Sequence, residues 1–279
     1  MSTVKVSAAD VKKLRDTIGA PMMDCKKALV EAEGDFDKAI EILRKKGQKL
    51  SNKRADRHAK EGAVVALVSD DRSHGVVVRL SCETDFVAKN KDFVALATSI
   101  ANIALKEMPA DVEALRDLPF NDSLSIQEKI LEQIGVIGEK VEVAEYSSLE
   151  APMVAPYIHM GNKAGVLVGL SKASDDFFDA GRDVAMQVAA MKPIAVNKDD
   201  VDASVVEKEI EIGKEQARQE GKPEAMLEKI AMGKLNKFYK ENTLLNQQFV
   251  KDSKQSVSQF LQSFDKDLTI TAFKHITLG

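Results

Sequence analysis

The sequence predicts an α+β protein in three parts. These are a bundle of three short helices, a duplicated α+β core with small antiparallel sheets, and an antiparallel coiled-coil hairpin inserted in the second copy. Three observations carry this. Capping residues and glycines punctuate residues 4–47 into three amphipathic stretches. Two stretches, from Gly75 and from Gly165, repeat one order: an apolar strand ending in Leu-Ser, then an alanine-rich helix that stops before a proline, Pro109 or Pro193. Apolar residues at helical spacing flank the turn "EGKPE" on both sides.

In order along the chain, Ser7 with Asp10 forms a capping box for the first helix, which carries Leu14 and Ile18 on its apolar side and breaks at Gly19. Pro21 suits the first turn of a second helix closed by Gly34. Asp35 caps a third, with Gly47 as its stop, which gives a unit over 1–50. The basic stretch "QKLSNKRADRHAKEG" follows, and 51–62 reads as a solvated linker or a frayed helix. In the first core unit, 63–150, "AVVALVS" and "GVVVRLS" pair across "DDRSH", and "KVEVAEYSS" closes the unit. The second unit takes 151–196 and 241–279, with "LTITAFKHITLG" as its closing strand. The arm is 197–240, with Val206, Ile210, Gly213 and Ala217 facing a return helix lined by Met226, Leu227, Ile230, Ala231, Leu235 and Phe238.

The two copies differ in one place. Gly75 and Pro109 are 34 positions apart, Gly165 and Pro193 only 28, and the six extra residues fall on or beside "TDFVAK". A corner that the shared scaffold does not need is a functional candidate. It carries Phe86 with Asp85 before it and Lys89 after it, where small polar residues are usual. Phe86 could equally fold back into its own core, and Asp85 could serve only the helix dipole.

Composition narrows the function. The 279 residues are 30% charged with a net charge of −4, which lacks the basic excess of a dedicated nucleic-acid binder, so no direct nucleic-acid contact is expected. No run is long enough to span a membrane, and the N-terminal stretch lacks an apolar signal core, so a cytoplasmic protein is expected. Cys25 and Cys82 read as reduced and buried. His58, His74, His159 and His275 are scattered without metal-ligand spacing, and "GVIGEK" has the wrong spacing for a phosphate loop. The chain therefore reads as a non-enzyme without cofactors. Two further readings stay open. The basic segment would suit an RNA or ribosome-associated module, with steep salt dependence, and the helical parts would suit a chaperone-like binder of many clients.

At "TDFVAKN" the chain resembles bacterial elongation factor Ts, the family of guanine nucleotide exchange factors for elongation factor Tu. The stretch "LRDTIGAPMMDCKKALVEAEGDFDKAIEILRKKG" is similar to that family's ubiquitin-associated-like domain. "HMGNKAGVLV" and "GKPEAMLEKI" resemble its second core subdomain and its coiled-coil arm. The resemblance implies that Thr84, Asp85, Phe86 and Val87 contact Tu, with Phe86 wedging into its nucleotide domain and the neighbouring region dislocating the bound magnesium. It implies Tu contacts for Leu14, Met22 and Met23, and a contact of His159 with a second Tu domain. The adjacent methionines read as core as readily as interface, although one of such a pair must point outward. His159 reads equally well as an ordinary strand residue. The arm is either self-contained or a surface for a homodimer or a Tu2-Ts2 assembly. Longer members of the family carry a further C-terminal helix, and here the sequence stops at Gly279 after the closing strand. The expectation is that binding rests on the N-terminal unit and the core, with the arm as a further surface.

Overall fold

The structure is a computed structural model that describes residues 6–278. The first five residues of the 1–50 unit and Gly279 lie outside the described residues. The N-terminal unit holds α1 (Ala8–Ile18), α2 (Met22–Glu31) and α3 (Phe36–Lys53). The Ser7–Asp10 capping box opens α1 and Gly19 closes it in the left-handed region, at φ 72°. Asp35 caps α3 by accepting from the Lys38 N–H at 3.1 Å. Leu14, Cys25, Leu29 and Ala39 are fully buried among the three helices. The second helix ends at Glu31 rather than at Gly34, and Glu33 and Gly34 both adopt positive φ to reverse the chain.

The first core unit comprises β1 (Glu61–Val68), β2 (His74–Cys82), α4 (Asp85–Ala88), α5 (Lys91–Glu107), α6 (Val112–Asp117), β3 (Pro119–Asn121), β4 (Leu124–Ser125), α7 (Ile126–Ile137) and β5 (Val141–Glu150). The second comprises β6 (Met153–Ile158), β7 (Ala164–Leu170), α8 (Asp175–Met191), the arm helices α9 (Ala203–Gln219) and α10 (Glu224–Asn242), β8 (Gln248–Phe249), β9 (Asp252–Ser256), α11 (Val257–Gln262) and β10 (Ile270–Thr277). Each unit has a three-stranded antiparallel sheet, in the orders β1-β2-β5 and β10-β7-β6.

The two sheets pack face to face. Alternation along the central strands decides which side chain goes where. Val76, Val78 and Leu80 of β2 face the first unit's helices, while Val77 faces Leu167 and Val154 across the sandwich. In β7, Val166, Val168 and Leu170 face the α8 side and Leu167 points inward. With both faces covered, β7 is apolar throughout and β2 is apolar from Gly75 to Val78. Gly165 lets the sheets approach, since a Cβ there would lie 2.8 Å from Val64 and 2.9 Å from Val77.

Two sequence expectations fail in this part of the chain, and one reason covers both. Gly47 does not stop α3, and the boundary at residue 50 with a linker from 51 falls inside one continuous helix. Here glycine serves a helix crossing. A Cβ on Gly47 would sit 2.3 Å from the Leu131 carbonyl oxygen of α7, and Gly135 lies opposite. The residues after it, Gln48 to Lys53, include good helix formers, so the helix continues along the core.

The arm helices pack antiparallel, with Gly213 against Ala231, and Ala217, Leu227 and Leu235 buried between them. Met226, expected on the inner face, is exposed in the first turn of α10. The arm's root is pinned where the Ile194 N–H bonds the Asn242 carbonyl and the Leu244 N–H bonds the Ala195 carbonyl, both at 2.9 Å.

Candidate functional site

The corner after β2 is built from both of its ends. The last ladder pair of β2 and β5 is Cys82 with Val141. Just beyond it, side chains take over from the backbone. Glu139, in the turn between α7 and β5, accepts from the N–H groups of Glu83 and Thr84 at 3.2 and 3.0 Å. Its other carboxylate oxygen accepts from the Thr84 hydroxyl at 2.7 Å. In return, Glu83 accepts from the Lys140 N–H at 2.7 Å and from the Arg54 guanidinium at 2.6 Å. Burial alone would raise the Glu83 carboxyl pKa, but the Lys140 and Arg54 hydrogen bonds outweigh it and hold the group below its ordinary value. Arg54 is the C-cap of α3, so the N-terminal unit's longest helix ends on the corner.

Thr84 caps α4, its hydroxyl facing the Val87 N–H at 3.5 Å. Val87 and Ala88 rest against the first unit's core, which fixes the inner side of this single turn. The outer side presents Phe86, 85% exposed. Asp85 and Lys89 close the turn with an ion pair at 2.6 Å, and the Lys89 hydrogen bond is the main cause holding the Asp85 carboxyl below its usual range. Phe86 therefore does not fold back, and the arrangement shows why: its neighbours take the inward positions and leave the ring outside. Burying such a ring elsewhere is worth roughly 1.5–3 kcal/mol. Nucleophilic chemistry has no support at the corner, since burial, then the nearby Glu139, pushes the Cys82 thiol up to about 12.

An open groove of about 470 Å³ separates the corner from the α1–α2 turn, lined by Gly19, Val87, Asn90, Phe93, Gln133 and Val136. Directly after that turn come Met22 and Met23, 45% and 62% exposed, so both members of the pair are at the surface. Leu14 is different. It is fully buried and holds the helices together, so as folded it offers no contact surface. His159 lies in the second unit at the end of β6, exposed, with Nδ1 3.3 Å from the Tyr157 hydroxyl. Beside it Ile158 is exposed and Met160 is 82% exposed, a second apolar surface.

Sequence reasoning missed Glu139, Arg54 and the work of Glu83. A signal existed: acids directly flank the ends of two strands expected to pair. Among the described residues no group of three or more His, Cys, Asp or Glu could hold a metal ion, and no helix is long and apolar enough to cross a membrane.

Comparison with known proteins gives a family match to elongation factor TS over residues 83–279. The chain belongs to the elongation factor Ts family. That match starts at Glu83, the first residue of the corner, and takes in the arm and the closing strand. The elongation factor Ts of Christiangramia forsetii is 53% identical, covering 99% of each chain, and that of Cytophaga hutchinsonii is 56% identical over the whole of both. The elongation factor Ts of Prosthecochloris aestuarii is 43% identical over 99% of each chain. The N-terminal helices, outside the family match, are thus inside the likeness to whole relatives.

Proposed function

We propose that this chain is a cytoplasmic guanine nucleotide exchange factor that binds elongation factor Tu in its GDP form and promotes release of GDP. The observation that carries the reading is Phe86, a large ring held in solvent by a braced turn where the duplicated scaffold has no need of it. Family membership supplies the partner. In this reading Phe86 enters Tu's nucleotide domain, with Asp85, Thr84 and Val87 shaping the contact, and the intrusion dislocates the magnesium that Tu holds with GDP. Metal and diphosphate support each other, so moving one loosens the other. Met22 and Met23 add a docking surface, and His159 with Ile158 and Met160 meets a second domain of Tu. The chain performs no bond chemistry.

Linkage makes the effect reciprocal. If the factor weakens GDP binding, GDP weakens the factor's binding equally, and incoming nucleotide expels it. The basic segment gives less support to an RNA reading. Arg54 is engaged by Glu83, and the backbone carbonyls of Ala55 and Arg57 accept from the Lys140 ammonium at 3.1 and 3.2 Å, so part of the segment is used internally. The test is release of fluorescent GDP from Tu with and without this protein. Acceleration at micromolar concentration is expected, and unchanged release refutes the reading.

A further inference from the structure

We infer that Glu139 is the positioning residue of the Phe86 turn, acting with Glu83 as a pair of carboxylates that extend the β2–β5 ladder past its last backbone pair. Antiparallel strands diverging at a corner leave N–H groups without ladder partners, and such groups need an acceptor. Glu139 supplies it for Glu83 and Thr84, and Glu83 supplies it for Lys140. The exchange is reciprocal, each acid serving the other strand's backbone. Charged acceptors make these bonds stronger than carbonyls would.

The link to Phe86 runs through one hydroxyl. Thr84 has a single hydroxyl hydrogen, and Glu139 takes it at 2.7 Å. The hydroxyl's lone pairs are then left for the Val87 N–H, so the acid sets the direction in which Thr84 caps the Phe86 turn. Arg54 neutralises Glu83 from the end of α3, which keeps two nearby acids tolerable. The turn is thereby built before any partner arrives, and a partner need not supply the ordering free energy.

This inference rests on the exchange reading above, and the experiment separates the two. Glu139→Ala, Glu139→Gln, Phe86→Ala and the Glu139→Ala, Phe86→Ala double variant are compared as full chains in fluorescent-GDP release from Tu. Glu139→Ala should lower the saturating rate about tenfold or more, with the half-saturating concentration little changed, because the other docking surfaces are intact. In the Phe86→Ala background it should add nothing, since it acts through that ring. Glu139→Gln should fall between: its amide oxygen still accepts from both backbone N–H groups, but its NH2 turns the Thr84 hydroxyl the wrong way. A wild-type saturating rate in Glu139→Ala, or effects that multiply with Phe86→Ala, would overturn the inference. If the unaltered chain does not speed release, the exchange reading fails, and amide hydrogen exchange of the free protein decides the positioning claim alone. Faster exchange at Val87 by about tenfold or more in Glu139→Ala, with Val168 in β7 unchanged as the fold control, supports it. An unchanged Val87 amide refutes it.

Discussion

The two strand-to-helix corners of the core invite comparison, since the units around them match closely. The helices α5 and α8 both span 17 residues, both close on a non-glycine residue in the left-handed region, Met108 or Lys192, and both meet a proline next. Between Leu80 and Lys91 lie six more residues than between Leu170 and Asp175. In the second corner the chain turns at once and is tied down by the loop before β10. Thr269 donates to the Ser171 hydroxyl at 3.0 Å, and Lys172 pairs with Asp265 at 2.7 Å and Asp267 at 3.3 Å. No large apolar side chain projects from it. In the first corner the surplus forms α4, braced by Glu139 and by the end of α3, and it places an aromatic ring in water. The difference teaches where to look in a duplicated fold: folding accounts for what the copies share, and the ring that only one copy carries does nothing for that copy's core.

Because the first corner is braced from the N-terminal unit and the second is not, damage to the brace should separate them. Gly47→Val places side-chain atoms where the Leu131 carbonyl already lies, so α3 must lift from α7. The expected cost is about 2–3 kcal/mol, read as a drop in thermal midpoint of several degrees. Amide exchange at Thr84 should quicken more than at Thr269. Equal loosening at the two corners would dissolve the distinction. The same docking argues against treating residues 1–50 as a detachable piece, since such a cut severs α3 and removes its packing on α7.

Acid offers a second, smaller perturbation. The folded-state pKa of Glu83 lies below its unfolded value. The unfolded chain therefore binds more protons through the intervening range, and stability rises with pH there. The contribution is complete above the unfolded value, about 4.3, and is lost as pH falls through the depressed folded value. The Lys140 amide proton, bonded to this carboxylate, should titrate with a midpoint below the usual glutamate value, and Glu83→Gln should abolish that titration. A midpoint at or above the usual value would contradict the bracing assigned to Arg54.

The smallest effect belongs to the second corner. Lys172→Ala removes its ion pairs with the half-buried Asp265 and the exposed Asp267, at a surface where water screens them in part. The thermal midpoint should fall by a degree or two at most, and GDP release from Tu should not change. A marked loss of release would mean that the second corner also serves the partner.

Much of this was legible in the sequence because local signals agreed with tertiary ones. The Ser7 and Asp35 caps, the β1–β2 hairpin and the closing strands follow from side-chain chemistry acting over a few residues. The corner was legible because a length difference between repeats survives folding unchanged. Gly47 was misread since a glycine that ends a helix and one that admits another helix look the same until the partner helix is known. Leu14, to which the resemblance assigns a partner contact, is fully buried in the folded chain, for the helical spacing that made it apolar-faced also turned it inward. The β8–β9 ribbon and α11 escaped notice because they are short, and "DSKQS" is polar. Glu139 escaped because its partners are 55 and 56 positions away, and only the strand register brings them together.

The central claim is that Phe86 is held outside the fold for use on a partner. The direct test is the saturating rate of fluorescent-GDP release from Tu driven by Phe86→Ala, beside its thermal midpoint. The account predicts a rate at least about tenfold below that of the unaltered chain, the equivalent of burying much of one aromatic ring, with the midpoint within a few degrees. A variant that melts normally and releases GDP at the full rate would contradict it.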